Sequence, residues 1–156
     1  MILSMAYVVL RVKGTVNVPH WARYTLDNLS LHKKFWATIL PETPESIGML
    51  RKIKDFVAWS HVDASFVKEL LEKRGKTVGS KPLKLLPNSG PYTDMNELAT
   101  DLAEDKIRLS SLQMVKPWFA LNPPRGGFKR KTITQYHQKG VLGEDKELVG
   151  IIKRMI

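Results

Sequence analysis

Tyr7-Val8-Val9-Leu10-Arg11-Val12-Lys13 is an alternating run closed by Gly14. Val8, Leu10 and Val12 fall on one side, and Tyr7, Val9, Arg11 and Lys13 on the other, which is the period of a strand with one core face. Moving outward, the strand signal recurs twice. Phe35-Trp36-Ala37-Thr38-Ile39-Leu40 is rich in aromatic and β-branched residues and is stopped by Pro41. Phe56-Val57-Ala58-Trp59-Ser60-His61-Val62 is the third such run. The intervals read as helices. Val18, Ala22, Leu26 and Leu29 recur at near-helical spacing, and Pro19 suits a first turn, which predicts a helix over 19–30. Thr43 followed by Pro44 is an N-cap with proline at the first helical position, and Ile47, Leu50 and Ile53 continue a second helix. Residues 5–62 thus form strand–helix–strand–helix–strand, an α+β core of three strands with both helices on one face. The second face would carry Val9, Trp36, Val57 and Trp59, too apolar to stay bare, so part of the chain after Asp63 is expected to cover it.

Residues 63–156 read as a mainly helical extension packed on that core. Asp63 or Ser65 caps a helix ending at Arg74, with Gly75 as its C-terminal stop and Glu69–Lys73 as an i,i+4 ion pair. Lys76 to Tyr92 is loop-like, with Pro82, Pro87 and Pro91. Asp94-Met95-Asn96-Glu97 is a capping box, and Met95, Leu98, Ala99, Leu102 and Ala103 form the apolar stripe behind it, Met95 as core filler. Lys116 to Leu121 is a short apolar strand, Thr132 to Leu142 a mixed polar segment, and Glu144 to Met155 a final helix. Met1 to Ser4 reads as a loose extension. The apolar start lacks a basic leader and is too short to span a bilayer, so a soluble protein is expected.

Between these elements lies Asn122-Pro123-Pro124-Arg125-Gly126-Gly127-Phe128-Lys129-Arg130-Lys131. Its prolines and glycines exclude a helix interior or a central strand, and its four cations have no acid among them. Such a segment lies on a polyanion or stays in water. The whole chain shares that bias. Its 156 residues hold 25 Lys and Arg against 15 Asp and Glu, a net charge of +10, which points to nucleic acid before an anionic membrane surface. No acid occurs before Asp27, between Glu72 and Asp94, or between Asp105 and Glu144. Acid-free blocks of this kind suit a surface that faces phosphates. The basic residues stand in loops and at helix ends instead of along one helix face, which favours a shape-reading RNA binder over a DNA-reading helix. Phe128, set among cations, is either a stacking group for an unpaired base or a hydrophobic pin for its own loop.

Enzymatic chemistry finds little foothold. Cysteine is absent, which removes thiolate catalysis and Cys-type zinc sites, and the four histidines lack metal-ligand spacing. No phosphate-cradling or nucleophile-elbow motif occurs. Asp101, Glu104 and Asp105 have the spacing of a solvated helix face.

Several segments, taken in order, resemble one family. Val9 to Val18 resembles the opening of the large-subunit ribosomal protein L-thirty family in its long archaeal form, which is related to the eukaryotic L-seven proteins. Leu29 to Lys33 is similar to its basic junction, Pro41 to Leu50 and Lys52 to Trp59 to its most recognisable segment, and Leu121 to Lys129 to its basic loop. The resemblance implies a β-α-β-α-β core with an antiparallel three-stranded sheet, a relative of the ferredoxin-like arrangement. It implies a structural, non-enzymatic protein of the cytoplasmic large ribosomal subunit. The partners would be large-subunit rRNA and neighbouring ribosomal proteins, with no cofactor, metal, membrane or small-molecule substrate, and no homo-oligomer. The implied RNA contacts are Arg11, Lys13, Thr15, His20, His32, Lys33, Lys34, Arg51, Lys52 and the loop Arg125, Gly126, Gly127, Phe128, Lys129, Arg130 and Lys131. An RNA-processing enzyme and a non-ribosomal RNA-binding protein are the competing expectations.

Overall fold

The computed structural model describes residues 6–75, 95–104, 108, 116–128 and 130–156. The Met1–Ser4 extension, the Lys76–Tyr92 loop, the Asp94 cap, the Met95 side chain and Lys129 lie outside the described residues. The elements run β1 (Tyr7–Arg11), α1 (His20–Asn28), β2 (Trp36–Leu40), α2 (Pro44–Lys52), β3 (Val57–His61), α3 (Ala64–Arg74), α4 (Met95–Ala103), β4 (Phe119–Ala120), β5 (Lys131–Gln135), β6 (Gly140–Glu144) and α5 (Leu148–Lys153). The fold is α+β, as the alternation predicts. Among the described residues no helix is long and apolar enough to cross a membrane.

Local chemistry sets the boundaries. The Thr43 hydroxyl accepts from the Ser46 amide at 3.2 Å, and Pro44 opens α2 behind it. The Asp63 carboxylate accepts from the Phe66 amide at 2.9 Å to start α3, which settles the choice between Asp63 and Ser65. Lys73 and Glu69 pair at 3.2 Å on its surface. Gly75 ends α3 in an extended conformation, φ −65°, so no left-handed stop is needed there.

β1 lies at the centre. It pairs antiparallel with β2 (Val9 opposite Thr38) and with β3 (Val9 opposite Trp59). This three-stranded unit is the one expected, but the sheet does not stop there. The full order is β4-β2-β1-β3-β6-β5, six strands. β4 adds antiparallel to β2, with Trp36 opposite Ala120. β6 adds parallel to β3, and β5 lies parallel beside β6. The extension is therefore mixed rather than mainly helical. Segment 132–142 supplies most of two strands, and α5 is confined to Leu148–Lys153 because β6 takes the chain through Glu144. The β5–β6 connection leaves room for no side chain at Gly140, where a Cβ would collide with the Thr134 backbone.

All five β1 residues are buried, so the single core face read from its alternation is a correction: both faces are covered. Tyr7, Val9 and Val57 pack under α1 and α2 with Ala22, Leu26, Leu29, Leu50 and Ile53, and Trp36 and Trp59 border that cluster. The face expected to be covered by the later chain is thus the one that α1 and α2 cover. Val8, Leu10, Ala37, Ile39 and Ala58 face the other way, onto Val67, Leu70 and Leu71 of α3, Leu98 and Leu102 of α4, and Leu148 and Ile152 of α5. A strand buried on both sides reads as a continuous apolar run, and Tyr7 to Leu10 is one.

Candidate nucleic-acid interface

The register brings distant basic segments to one end of the sheet. β1 ends at Arg11, opposite the starts of β2 and β3, and β4 ends beside the start of β2. Lys13, Gly14 and Thr15 after β1, His32 to Lys34 before β2, Lys52 and Lys54 before β3, and Asn122 to Arg125 after β4 therefore share that end. β6 runs parallel to β3 and β5 to β6, so Lys131 and Lys139 begin their strands there too. Backbone bonds weld the group: the Phe35 amide donates to the Arg11 carbonyl at 2.7 Å, and the Leu121 amide to the Phe35 carbonyl at 3.2 Å.

The loop that follows β4 is held by the C-terminus. The Asn122 amide donates to the Met155 carbonyl and the Arg125 amide to the Arg154 carbonyl, each at 3.2 Å. One guanidinium nitrogen of Arg154 donates to the carbonyls of Arg125 and Gly127, both at 3.0 Å. Gly126 and Gly127 sit at φ 79° and 71°, the left-handed region where a side chain would strain the turn. Phe128 is half-buried, 6.0 Å from the Phe35 ring and packed on the α3–α5 core. Of its two readings, the pin is the one adopted. Lys34 in turn lies over the Phe35 ring at 4.9 Å, so the basic junction and the basic loop meet through stacked side chains.

Arg125, Lys33, Lys34, Lys13, Lys52 and Lys131 have no acidic partner among the described residues. Thr15 and His20 are exposed near the same end. His32 is exposed but bonded to Asp27 at 3.1 Å. Arg51 is exposed on α2, and its field works against the rise in the Tyr7 pKa that burial, Glu42 and Glu144 produce. It stands beside Lys52 in the last turn of α2.

Two of the predicted cations have other work. Arg11 is 3% exposed. Its guanidinium donates to the carbonyls of Leu31 at 2.6 Å, Lys13 at 3.0 Å and Gly14 at 3.1 Å. Burial holds its pKa below the usual guanidinium value, with Asp27 opposing that fall and Arg23 adding to it. Arg11 is a brace that shapes the loop carrying Lys13 and Thr15, and a buried charge needs such partners. Arg130 donates to the carbonyls of Gly140 at 3.0 Å and Tyr136 at 2.9 Å, lies 4.4 Å from the Tyr136 ring centre, and meets Glu147 at 3.5 Å. It clips the turn between β5 and β6.

The sequence reading passed over Trp118, Lys116 and Arg154. Trp36 and Trp118 stack with centroids 5.2 Å apart and planes 1° from parallel. The available signal was the lysine just ahead of each tryptophan, in Lys33-Lys34-Phe35-Trp36 and Lys116-Pro117-Trp118.

Comparison with known proteins shows the family. Residues 7–57, which span β1 to the start of β3, match the family model described as Ribosomal protein L30p/L7e. The chain is similar over nearly its whole length to proteins called large ribosomal subunit protein uL30. That of Cenarchaeum symbiosum is 48% identical over 155 residues, 99% of this chain and 100% of the relative. The Nitrosopumilus maritimus protein is 43% identical across 99% and 100% of the two chains, and that of Staphylothermus marinus 42% across 96% and 98%. With the strand–helix core in the matched segment and full-length likeness at such identity, the chain belongs to the uL30 family of ribosomal proteins.

Proposed function

We propose that this chain is a structural component of the cytoplasmic large ribosomal subunit and that it grips large-subunit rRNA with the basic end of its sheet. The relatives' names support the subunit. The observation that carries the RNA contact is the convergence of Lys13, Lys33, Lys34, Lys52, Arg125 and Lys131, from segments more than a hundred residues apart, at one end of the sheet without acidic partners among the described residues. Clustered cations repel one another and weaken the fold unless a polyanion neutralises them. Lysines give mobile point charges for phosphates, and Arg125, on a glycine turn whose backbone Arg154 clamps, gives a planar fork. Thr15, His20 and the Gly126–Gly127 backbone complete the surface, with Lys129 as a further expected contact. The role is to hold RNA and neighbouring ribosomal proteins in position, without catalysis and as a single copy.

Fractionation of a native lysate on a sucrose gradient tests this. Co-migration of the chain with the large subunit at moderate salt, and release at high salt, is the expected result, since each neutralised phosphate contributes roughly 0.7 to 0.9 to the salt slope. A chain that stays at the top of the gradient while the subunit peak lacks it would overturn the proposal.

A further inference from the structure

We infer that the stacked Trp36–Trp118 pair is a platform for an unpaired nucleobase of the bound RNA, an inference that rests on the RNA-binding reading above. The pair arises from strand register. Trp36 stands opposite Ala120, so Trp118 is its diagonal neighbour on the same face, within reach of an aromatic side chain. The Thr38 hydroxyl donates to the Pro117 carbonyl at 2.8 Å and holds the chain entering Trp118 against β2. This is the α1–α2 face, but the helices cover its centre, and β4 lies at the margin. Trp36 borders the core there, while Trp118 packs into neither hydrophobic cluster among the described residues. Both indoles stay partly exposed.

A large apolar ring held outside the core is costly unless something covers it. What surrounds the pair points to the occupant. Lys33 lies 6.0 Å from the Trp36 ring centre, and Lys116 lies 5.4 Å from that of Trp118. His32 meets both indoles edge-on, at 5.9 and 6.4 Å. A neighbouring protein's apolar side chain would gain nothing from these lysines. A nucleotide uses both parts, its base stacking on an indole and its phosphate drawing a lysine off the ring. Stacking reads the face that every base has, so the platform tolerates sequence but requires an unpaired base.

The test measures binding of the full-length protein to transcribed large-subunit rRNA and to a labelled single-stranded RNA against a duplex of the same length. Trp118→Ala is expected to weaken single-strand binding about 5- to 100-fold, with the salt slope unchanged and duplex binding nearly so. Trp118→Phe should restore most of the loss, and Trp118→Leu, which keeps bulk at the edge of β4, should not. Unchanged single-strand affinity in folded Trp118→Leu, with rRNA still bound, would overturn the platform and leave the RNA-binding reading standing. No rRNA binding by the natural protein would overturn both. Intact RNA affinity with failed incorporation into the subunit would assign the pair to a protein neighbour and overturn the nucleobase.

Discussion

The two ends of the sheet differ in charge although the same strands build both. At one end, Lys13, Lys33, Lys34, Lys52, Arg125 and Lys131 have no acidic partner among the described residues, and the nearby acids Asp27 and Asp55 are engaged, Asp27 with His32 and Asp55 with the Gln135 amide at 3.1 Å. At the other end the charges are mixed and paired. Glu42 meets His61 at 3.4 Å and the Tyr7 hydroxyl at 3.5 Å, Tyr7 stacks on His61 at 4.5 Å, and Asp63 caps α3. The mixed end is finished within the protein. The basic end is left with cations that the proposed RNA would neutralise. Antiparallel pairing produces the difference, because the tail of β1 and the heads of β2 and β3 carry the cations and must lie together.

The comparison is broken most severely by removing what shapes the basic end from inside. Arg11→Met leaves three carbonyls without their donors and should lower stability by about 3 kcal/mol, roughly 10 °C in Tm. RNA affinity per folded molecule should change far less, which thermal melts and filter binding on the same samples will show. If affinity collapses while Tm holds, Arg11 is a contact and not a brace.

Charge reversal at the surface is the next test. Lys33→Glu with Arg125→Glu should cut rRNA affinity about 10- to 100-fold and flatten its salt dependence, with Tm unchanged. Lys68→Glu with Lys73→Glu makes the same change in net charge on α3, where both lysines pair with glutamates, and should cost several-fold at most. Equal losses from the two pairs would mean that net charge alone drives binding.

The smallest effect sharpens the picture of the mixed end. Asp145 is fully buried at the tail of β6; one oxygen accepts from the Glu147 amide at 2.8 Å and the other has no partner. Burial raises its pKa above the ordinary 3.8, with the Glu147 amide and Arg130 pulling it back. A raised carboxyl costs stability above its folded pKa, and the cost fades as pH falls toward the unfolded value. Asp145→Asn should therefore be more stable than the natural protein at pH above the raised carboxyl pKa, with the gap in Tm closing as pH falls from there toward the ordinary 3.8. A gap that stays constant with pH would show that Asp145 does not titrate in that range.

Much of this was legible from residues alone because the signals are local. Thr43-Pro44, Asp63 and the Leu98–Leu102 stripe mark their helices by short-range chemistry, and the acid-free blocks mark a basic chain by composition. β5 and β6 were missed for the complementary reason. Lys131-Thr132-Ile133-Thr134-Gln135 is polar at most positions and Gly140 to Glu144 holds two glycines, so neither run announces a strand. What makes them strands is the edge of β3, which β6 joins from 85 residues later in the chain and β5 then extends.

The division within the site follows the same line. Sequence by itself determined that this is an α+β protein with a basic, glycine-hinged loop and a strong net positive charge, because charge, turn chemistry and periodicity are properties of neighbouring residues. Only the tertiary structure decided which cations are available. Arg11 and Arg125 are alike as letters, yet one is enclosed by Leu31, Lys13 and Gly14 and the other is held out to solvent by Arg154. Tertiary structure also stacked Trp118 on Trp36, across eighty-two positions of chain. The physical reason is that burial and pairing are set by whatever element the fold brings alongside, and strand register makes that choice.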